Sequence, residues 1–226
     1  MAAQKIISIE PIGDISISKR RGQKGIRITI NGTIVNVTQP AWLPFSAGEA
    51  FARSRVEWIR QHTAAPSIYT NGQKIGHQHT LLFLNGDKIG SRVGQAVIRI
   101  TIPPSIAPST PEVQATVKRA IIKALRQEGE AYLPSRTHEL ARAHGFSFKS
   151  VSIKLLKRRW GSCNSRSEIT YNLRLMSLSL EQIDYVILHE LTHTLHMNHS
   201  AEFWNHMESV LPGAKKIAKV VRRYHQ

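Results

Sequence analysis

The segment His189-Glu190-Leu191-Thr192-His193 restricts this chain more than any other. On an α-helix, residues four apart share one face, about 6 Å apart along the axis. His189 and His193 therefore turn both imidazoles toward one point. Glu190 falls about 100° round the helix, where its carboxylate reaches a ligand of that point without occupying it. Two neutral imidazoles and an adjacent carboxylate suit a zinc ion with an open position: the ion acidifies a bound water and the carboxylate takes the proton. The chain must then fold so that this helix has a buried flank and a turn after it returns a third ligand. Ile183, Val186, Ile187 and Leu191 supply the flank.

His196 and His199 compete for the third position. His196 lies on the face of His189, but its Cα would stand roughly 10 Å farther along the axis, and helical side chains lean toward the N-terminus. Three successive turns of one straight helix would close a tetrahedral site only with strain. His199 follows Asn198, where a helix ends readily and the chain can turn back, so His199 is expected as the ligand and His196 as a structural neighbour. His138-Glu139-Leu140 begins like the first motif, but the next histidine, His144, is six residues on and well off that face; that helix reads as structural. His77 and His79 share a strand face with no evident third ligand, and read as solvent-facing.

The chain has 226 residues, of which 41% are apolar, enough for a packed core in one large or two small domains. No apolar run approaches the roughly 20 residues that span a bilayer, and Met1 to Ile7 holds no leader-like apolar stretch. The single cysteine, Cys163, excludes an internal disulfide. These features predict a cytoplasmic protein with no membrane partner. Lysine and arginine number 31 against 15 acidic residues, for a net charge of +16. Such a field attracts polyanions and predicts salt-sensitive, non-specific binding of nucleic acid.

The first hundred residues read mostly as strands. Ile26 to Ile30 alternates with period two, Asn31-Gly32 marks a hairpin turn, and Thr33 to Thr38 reads as the return strand. Phe51 to His62 has helical spacing. Leu81 to Leu84, Asn85-Gly86-Asp87 and Lys88-Ile89 read as a second hairpin, and Val97 to Ile102 as a further strand. No internal repeat is visible. The stretch Pro103 to Pro111 is the expected boundary between a β-rich module, 1–104, and a second domain, 105–226. After it, Thr110 suits an N-cap and Pro111 the first helical position. Pro134 is expected to interrupt that helix, and Gly145 to end its successor. Strands follow near Phe148–Leu156 and Glu168–Leu173, separated by the turn-rich Gly161 to Ser165. A helix from Ser179 to about Asn198, a short one after Ser200 and a third from Gly213 to about Tyr224 complete the chain.

Arg159-Trp160-Gly161-Ser162-Cys163, Tyr171-Asn172-Leu173-Arg174-Leu175, Ile183 to His193, Asn198-His199-Ser200 and Phe203-Trp204 occur in order. This succession resembles the YgjP-like metal-dependent hydrolase family, related to the SprT-like zinc metallopeptidases. The resemblance implies an α+β fold with a zincin-like catalytic domain behind an N-terminal, mainly antiparallel β module. It implies Zn2+ on His189, His193 and His199, Glu190 as general base, and substrate binding near Trp160, Gly161 and Ser162. The implied partner is a protein or peptide substrate, with a nucleotide such as UTP as the competing class, because some family members are labelled pyrophosphatases. A nucleic-acid-binding protein with a structural zinc is the third reading; Glu190 argues against it, since a structural site needs no base. Cys163 would be the residue to close such a site. Oligomeric state has no sequence signature here.

Overall fold

The computed structural model describes residues 4–31, 34–62 and 68–223. They form two compact units, Met1–Ser67 and Ile68–Gln226. In the first, strands β1 (Gln4–Ile9), β2 (Gly13–Arg20), β3 (Arg27–Asn31) and β4 (Ile34–Pro40) lie in the order β1-β2-β4-β3. Period-two alternation sends Ile15, Ile17, Val35 and Val37 to one face, and the parallel β2–β4 register sets Ile15 opposite Val35 and Ile17 opposite Val37. Ala52 and Ile59, from helices α1 (Phe45–Ser54) and α2 (Val56–His62), join the same core. The helix expected over 51–62 therefore begins earlier, behind Pro44, and breaks at Arg55. β3 and β4 pair antiparallel, as a hairpin would; Gly32 and Thr33 of its turn lie outside the described residues, as do Met1 to Ala3 and Tyr224.

The second unit opens with the same arrangement. Strands β5 (Lys74–Ile75), β6 (His79–Asn85), β7 (Gly90–Val93) and β8 (Val97–Ile102) run in the order β5-β6-β8-β7, with a parallel pair at the centre and antiparallel pairs on both sides. The two units thus share a strand order that no sequence repeat announced. The Leu81–Ile89 hairpin does not form: β8 lies between β6 and β7. Leu81 of β6 stands opposite Ile98 of β8, and Phe83 opposite Ile100, so the insertion lines up two apolar rows that a local hairpin would leave apart.

Helix α3 (Pro111–His144) packs on this sheet and shares its core, with Val113, Val117, Ala120 and Ala124 beside Leu81, Ile98 and Ile100. The chain consequently divides at Ser67/Ile68 and not at residue 104, and the proline-rich stretch is a connection within one unit. α3 also runs unbroken through Pro134. The missing Pro134 N–H frees only the carbonyl of Glu130, an exposed residue, while Leu133 and Thr137 beside it are fully buried and hold the helix to the core. Thr110 is at the N-cap, but its hydroxyl caps nothing among the described residues. Gly145 closes the helix in the left-handed region at φ 72°.

A three-stranded sheet follows, in the order β10-β11-β9: β9 (Ser150–Lys154), β10 (Gly161–Cys163) and β11 (Glu168–Asn172). β11 pairs parallel with β9 and antiparallel with β10, which leaves β10 at the edge. Helices α4 (Leu180–Thr192), α5 (Ala201–Val210) and α6 (Ala214–Arg223) complete an α+β unit. α4 starts on a capping box between Ser179 and Gln182 and buries Ile183, Val186, Ile187 and Leu191. Its burial on that flank contributes about 1.5–3 kcal/mol per side chain. Arg136 of α3 grips Asp184 of α4 through two parallel hydrogen bonds of 2.8 and 2.7 Å. No helix among the described residues is long and apolar enough to cross a membrane.

Candidate metal centre

α4 ends at Thr192, six residues before Asn198. His193 stays in the helical region as C-cap, and Thr194 and Leu195 then donate to the carbonyls of Leu191 and Thr192 in a tightened last turn. That turn brings His199 back over the helix. The result is a group of three imidazoles, His189, His193 and His199, whose ligand atoms all lie within 4.8 Å of one another. The Nε2 atoms of His189 and His199 stand 3.0 Å apart. Two nitrogens on a tetrahedral zinc at about 2.0–2.1 Å would be about 3.3 Å apart, so the donor set fits that ion.

On two of the three rings the other nitrogen has a partner. His193 Nδ1 lies 2.9 Å from the carbonyl oxygen of His196, an acceptor, so Nδ1 carries the proton and Nε2 presents its lone pair. The Tyr185 hydroxyl lies 3.4 Å from Nδ1 of His189. Burial, then the neighbouring His193 and His199 and the cation of Arg222, pushes His189 down to about 3, and burial lowers His193 as well. Both rings are neutral at pH 7, the form a metal requires. His196 stays outside the group, with its ring against His206 at 5.5 Å and its carbonyl orienting His193. Tyr185 escaped the sequence reading although it stands four residues before His189, on the same helix face.

Glu190 is 5% exposed on the flank of α4 that faces β10. A Cβ at Gly161 would come within 2.6–2.9 Å of its side chain, so only glycine permits this approach. Burial pushes the Glu190 carboxyl up to about 8, while the Arg159 cation and the backbone N–H of Cys163 pull it back toward the ionised form. Cys163 is not among the converging ligands; burial and the nearby Glu190 hold its thiol up, at about 11. Of the residues expected at the substrate, Gly161 and Ser162 form the edge strand beside Glu190. Trp160 lines the adjoining cleft and donates its indole N–H to the carbonyl of Val221 at 3.2 Å, which ties the strand to α6.

That cleft, about 280 Å³, is bounded by Arg158, Arg159, Trp160 and Gly161 on one side, by Tyr185, His189 and Glu190 on α4, and by Ala218, Val221 and Arg222 on α6. Buried Asn172 fixes the arginine-bearing segment: its amide donates to the carbonyls of Leu156 and Arg159, both at 2.9 Å. Two histidines singled out in the sequence, His138 and His79, have structural partners. His138 Nδ1 is 2.9 Å from the carbonyl of Pro134, and its ring packs edge-on against Phe148. His79 is not solvent-facing. It is 2% exposed, with Nδ1 2.5 Å from Glu128 and Nε2 2.9 Å from the carbonyl of Gly94. Glu128 also accepts the backbone N–H groups of His77 and Gln78, fixing the β5–β6 turn to α3.

The YgjP-like, metallopeptidase domain family model matches residues 24–224. The chain belongs to this family. It is accordingly a metal-dependent hydrolase of the metallopeptidase type. Two crystal structures resemble part of it. The metallopeptidase zymogen of Pyrococcus abyssi abylysin is 26% identical over 40% of this chain and 92% of that one, with a TM-score of 0.37. The metallopeptidase zymogen of Methanocaldococcus jannaschii jannalysin is 20% identical over 40% of this chain and 95% of that one, with a TM-score of 0.36. No curated protein matches.

Proposed function

We propose that the protein is a zinc peptidase in which His189, His193 and His199 hold the ion and Glu190 is the general base. The convergence of three imidazoles beside a buried carboxylate, in a member of a metallopeptidase family, carries this reading. Zinc in this position supplies Lewis acidity, lowering the pKa of a water ligand and polarising a carbonyl. The three-residue ligand set leaves the fourth position for that water, which distinguishes a catalytic from a closed structural site.

The protein's own groups account for the remaining work. β10 pairs only with β11 among the described residues, so its outer edge is open for an extended peptide. Backbone pairing at Gly161 would hold a scissile carbonyl beside α4 without reading side chains, which favours flexible or unfolded protein segments; the Cys163 N–H is already given to Glu190. The Glu190 carboxylate accepts a proton from the attacking water and returns it to the departing amine. The Cys163 N–H and the Arg159 cation oppose the burial that raises this carboxyl, drawing it back toward its ionised, accepting form.

The arginines of the cleft favour a second reading, hydrolysis of a nucleotide such as UTP. The net charge of +16 supports a separate, non-specific affinity for nucleic acid, which mobility shifts at rising salt would register. Side-by-side assays of zinc-loaded protein on casein, an unstructured peptide and UTP test the main reading. Peptide-bond cleavage without pyrophosphate release is the expected result. Pyrophosphate release with every protein intact would replace the peptidase reading while leaving the metal site in place.

A further inference from the structure

Resting on the peptidase reading, we infer that the cleft between β10 and α6 is a subsite for a carboxylate-bearing side chain of the substrate, with Arg159 and Arg222 as its specificity-determining residues. The cleft begins at the metal group and Glu190, so a peptide whose carbonyl sits there places a neighbouring side chain in it. Three guanidinium-bearing residues, Arg158, Arg159 and Arg222, line it, and Glu190 is its only acid. All three arginines are exposed, and none takes part in an ion pair or side-chain hydrogen bond recorded among the described residues. Most other buried or half-buried acids of the unit are already held by partners, as Asp184 is by Arg136 and Glu168 by Lys149. Apart from the pull of Arg159 on Glu190, the cleft's cations have no acidic partner among the described residues.

The backbone that carries these arginines is fixed. Asn172 is 2% exposed and bonds the carbonyl of Arg159 itself; Trp160, the next residue, bonds the carbonyl of Val221, the residue before Arg222. Arg159 and Arg222 thus line one cleft from two held backbone segments, the arrangement that two-sided recognition of a planar carboxylate needs. Val186, Ala218 and Val221 give the cleft apolar walls for the methylenes of such a side chain. The cleft's volume, about 280 Å³, falls just below the ~300–1,000 Å³ typical of small-molecule sites, which favours one glutamate side chain over a base, a ribose and a triphosphate together.

The test uses zinc-loaded full-length protein and a set of peptides amidated at the C-terminus that differ at one position next to the scissile bond: Glu, Gln or Lys. A fourth peptide, with Gln there and a free C-terminal acid, separates a side-chain carboxylate from a terminal one. Wild-type protein should cleave the Glu peptide about 10-fold more efficiently than the Gln peptide, the order of one charge-assisted pair in a partly exposed site. Arg222→Gln should collapse that ratio toward one, chiefly through KM; Arg159→Gln should collapse it too while also lowering kcat for every peptide, because Arg159 acts on Glu190; and Arg222→Glu should reverse the ratio in favour of Lys. Lys219→Gln, which removes the same charge from α6 outside the cleft, should preserve it. A wild-type ratio near one, or a ratio that both arginine variants leave intact, overturns the subsite while cleavage of the Gln peptide upholds the peptidase. If no peptide is cleaved, calorimetry with Glu190→Gln protein decides separately. Equal binding of the Glu and Gln peptides, or UTP binding more tightly than either, would overturn the inference.

Discussion

Two helices of this protein carry a histidine followed by a glutamate, and only one of them builds a site. In α4, His189 has a partner one turn on in His193, and the chain turns directly after it to return His199. In α3, His138 is bound back to the carbonyl of Pro134, four residues before it, and no second imidazole shares its face. The glutamates differ as much. Glu190 is nearly enclosed against β10, and burial drives its carboxyl up to about 8. Glu139 is exposed and spends its charge on Arg136 at 2.8 Å. A His-Glu pair becomes chemistry when the helix ends next to it and a strand covers the acid.

The most severe way to break the comparison is to remove a ligand. His193→Ala and His199→Ala should each abolish stoichiometric zinc, read by elemental analysis, and reduce peptide turnover by at least ~10³-fold. His196→Ala should retain the metal, because only its backbone carbonyl serves the site. Full zinc occupancy in the His199 variant would give the third position to another residue. Glu190→Gln comes next: zinc content and thermal unfolding should match wild type while turnover falls ~10³-fold or more. Loss of zinc in this variant would make the carboxylate a ligand and refute its role as base.

Gly161→Ala probes the strand that covers Glu190, a cover that exposed Glu139 lacks. The added methyl must displace Glu190, so turnover should fall ~10- to 100-fold with zinc retained. Turnover equal to wild type would mean that Glu190 moves aside without consequence. Tyr185→Phe removes a long hydrogen bond to His189 and should weaken zinc binding by only about 3- to 10-fold in a chelator competition. The smallest change belongs to α3: His138→Gln and Glu139→Gln should leave zinc content and turnover within about twofold, as expected of surface substitutions away from a site. A larger loss there would mean that the two helices are coupled through Arg136 and Asp184.

Much of the site was legible before any fold was known, because helix periodicity is local. The four-residue spacing of His189 and His193, the apolar stripe of α4 and the capping box at Ser179 depend on neighbours within two turns. The preference for His199 over His196 came from helix rise, the lean of helical side chains and the turn expected after Asn198; the structure groups the ligand atoms of His189, His193 and His199. Tyr185 was equally within reach, being one turn before His189. The strands were less legible. Some segments were found, such as those of β3, β6 and β8, but pairing them by proximity in the chain produced a hairpin at Leu81–Ile89 that does not exist, and Gly161–Cys163, read as turn-rich, is an edge strand.

The sequence by itself determined roughly where most of the helices and several of the strands fall, which residues are apolar, and that two imidazoles share a face, since these depend on propensity and period. Tertiary structure alone decided the order of the strands, the division at residue 67, the survival of α3 through Pro134 and the burial of His79 against Glu128. Each of these is settled by contacts between residues far apart in the chain, where burial of a shared apolar face outweighs a local signal. The cleft belongs to the same class: Arg159 and Arg222 are 63 residues apart and meet across it because Asn172 and Trp160 hold their two segments there.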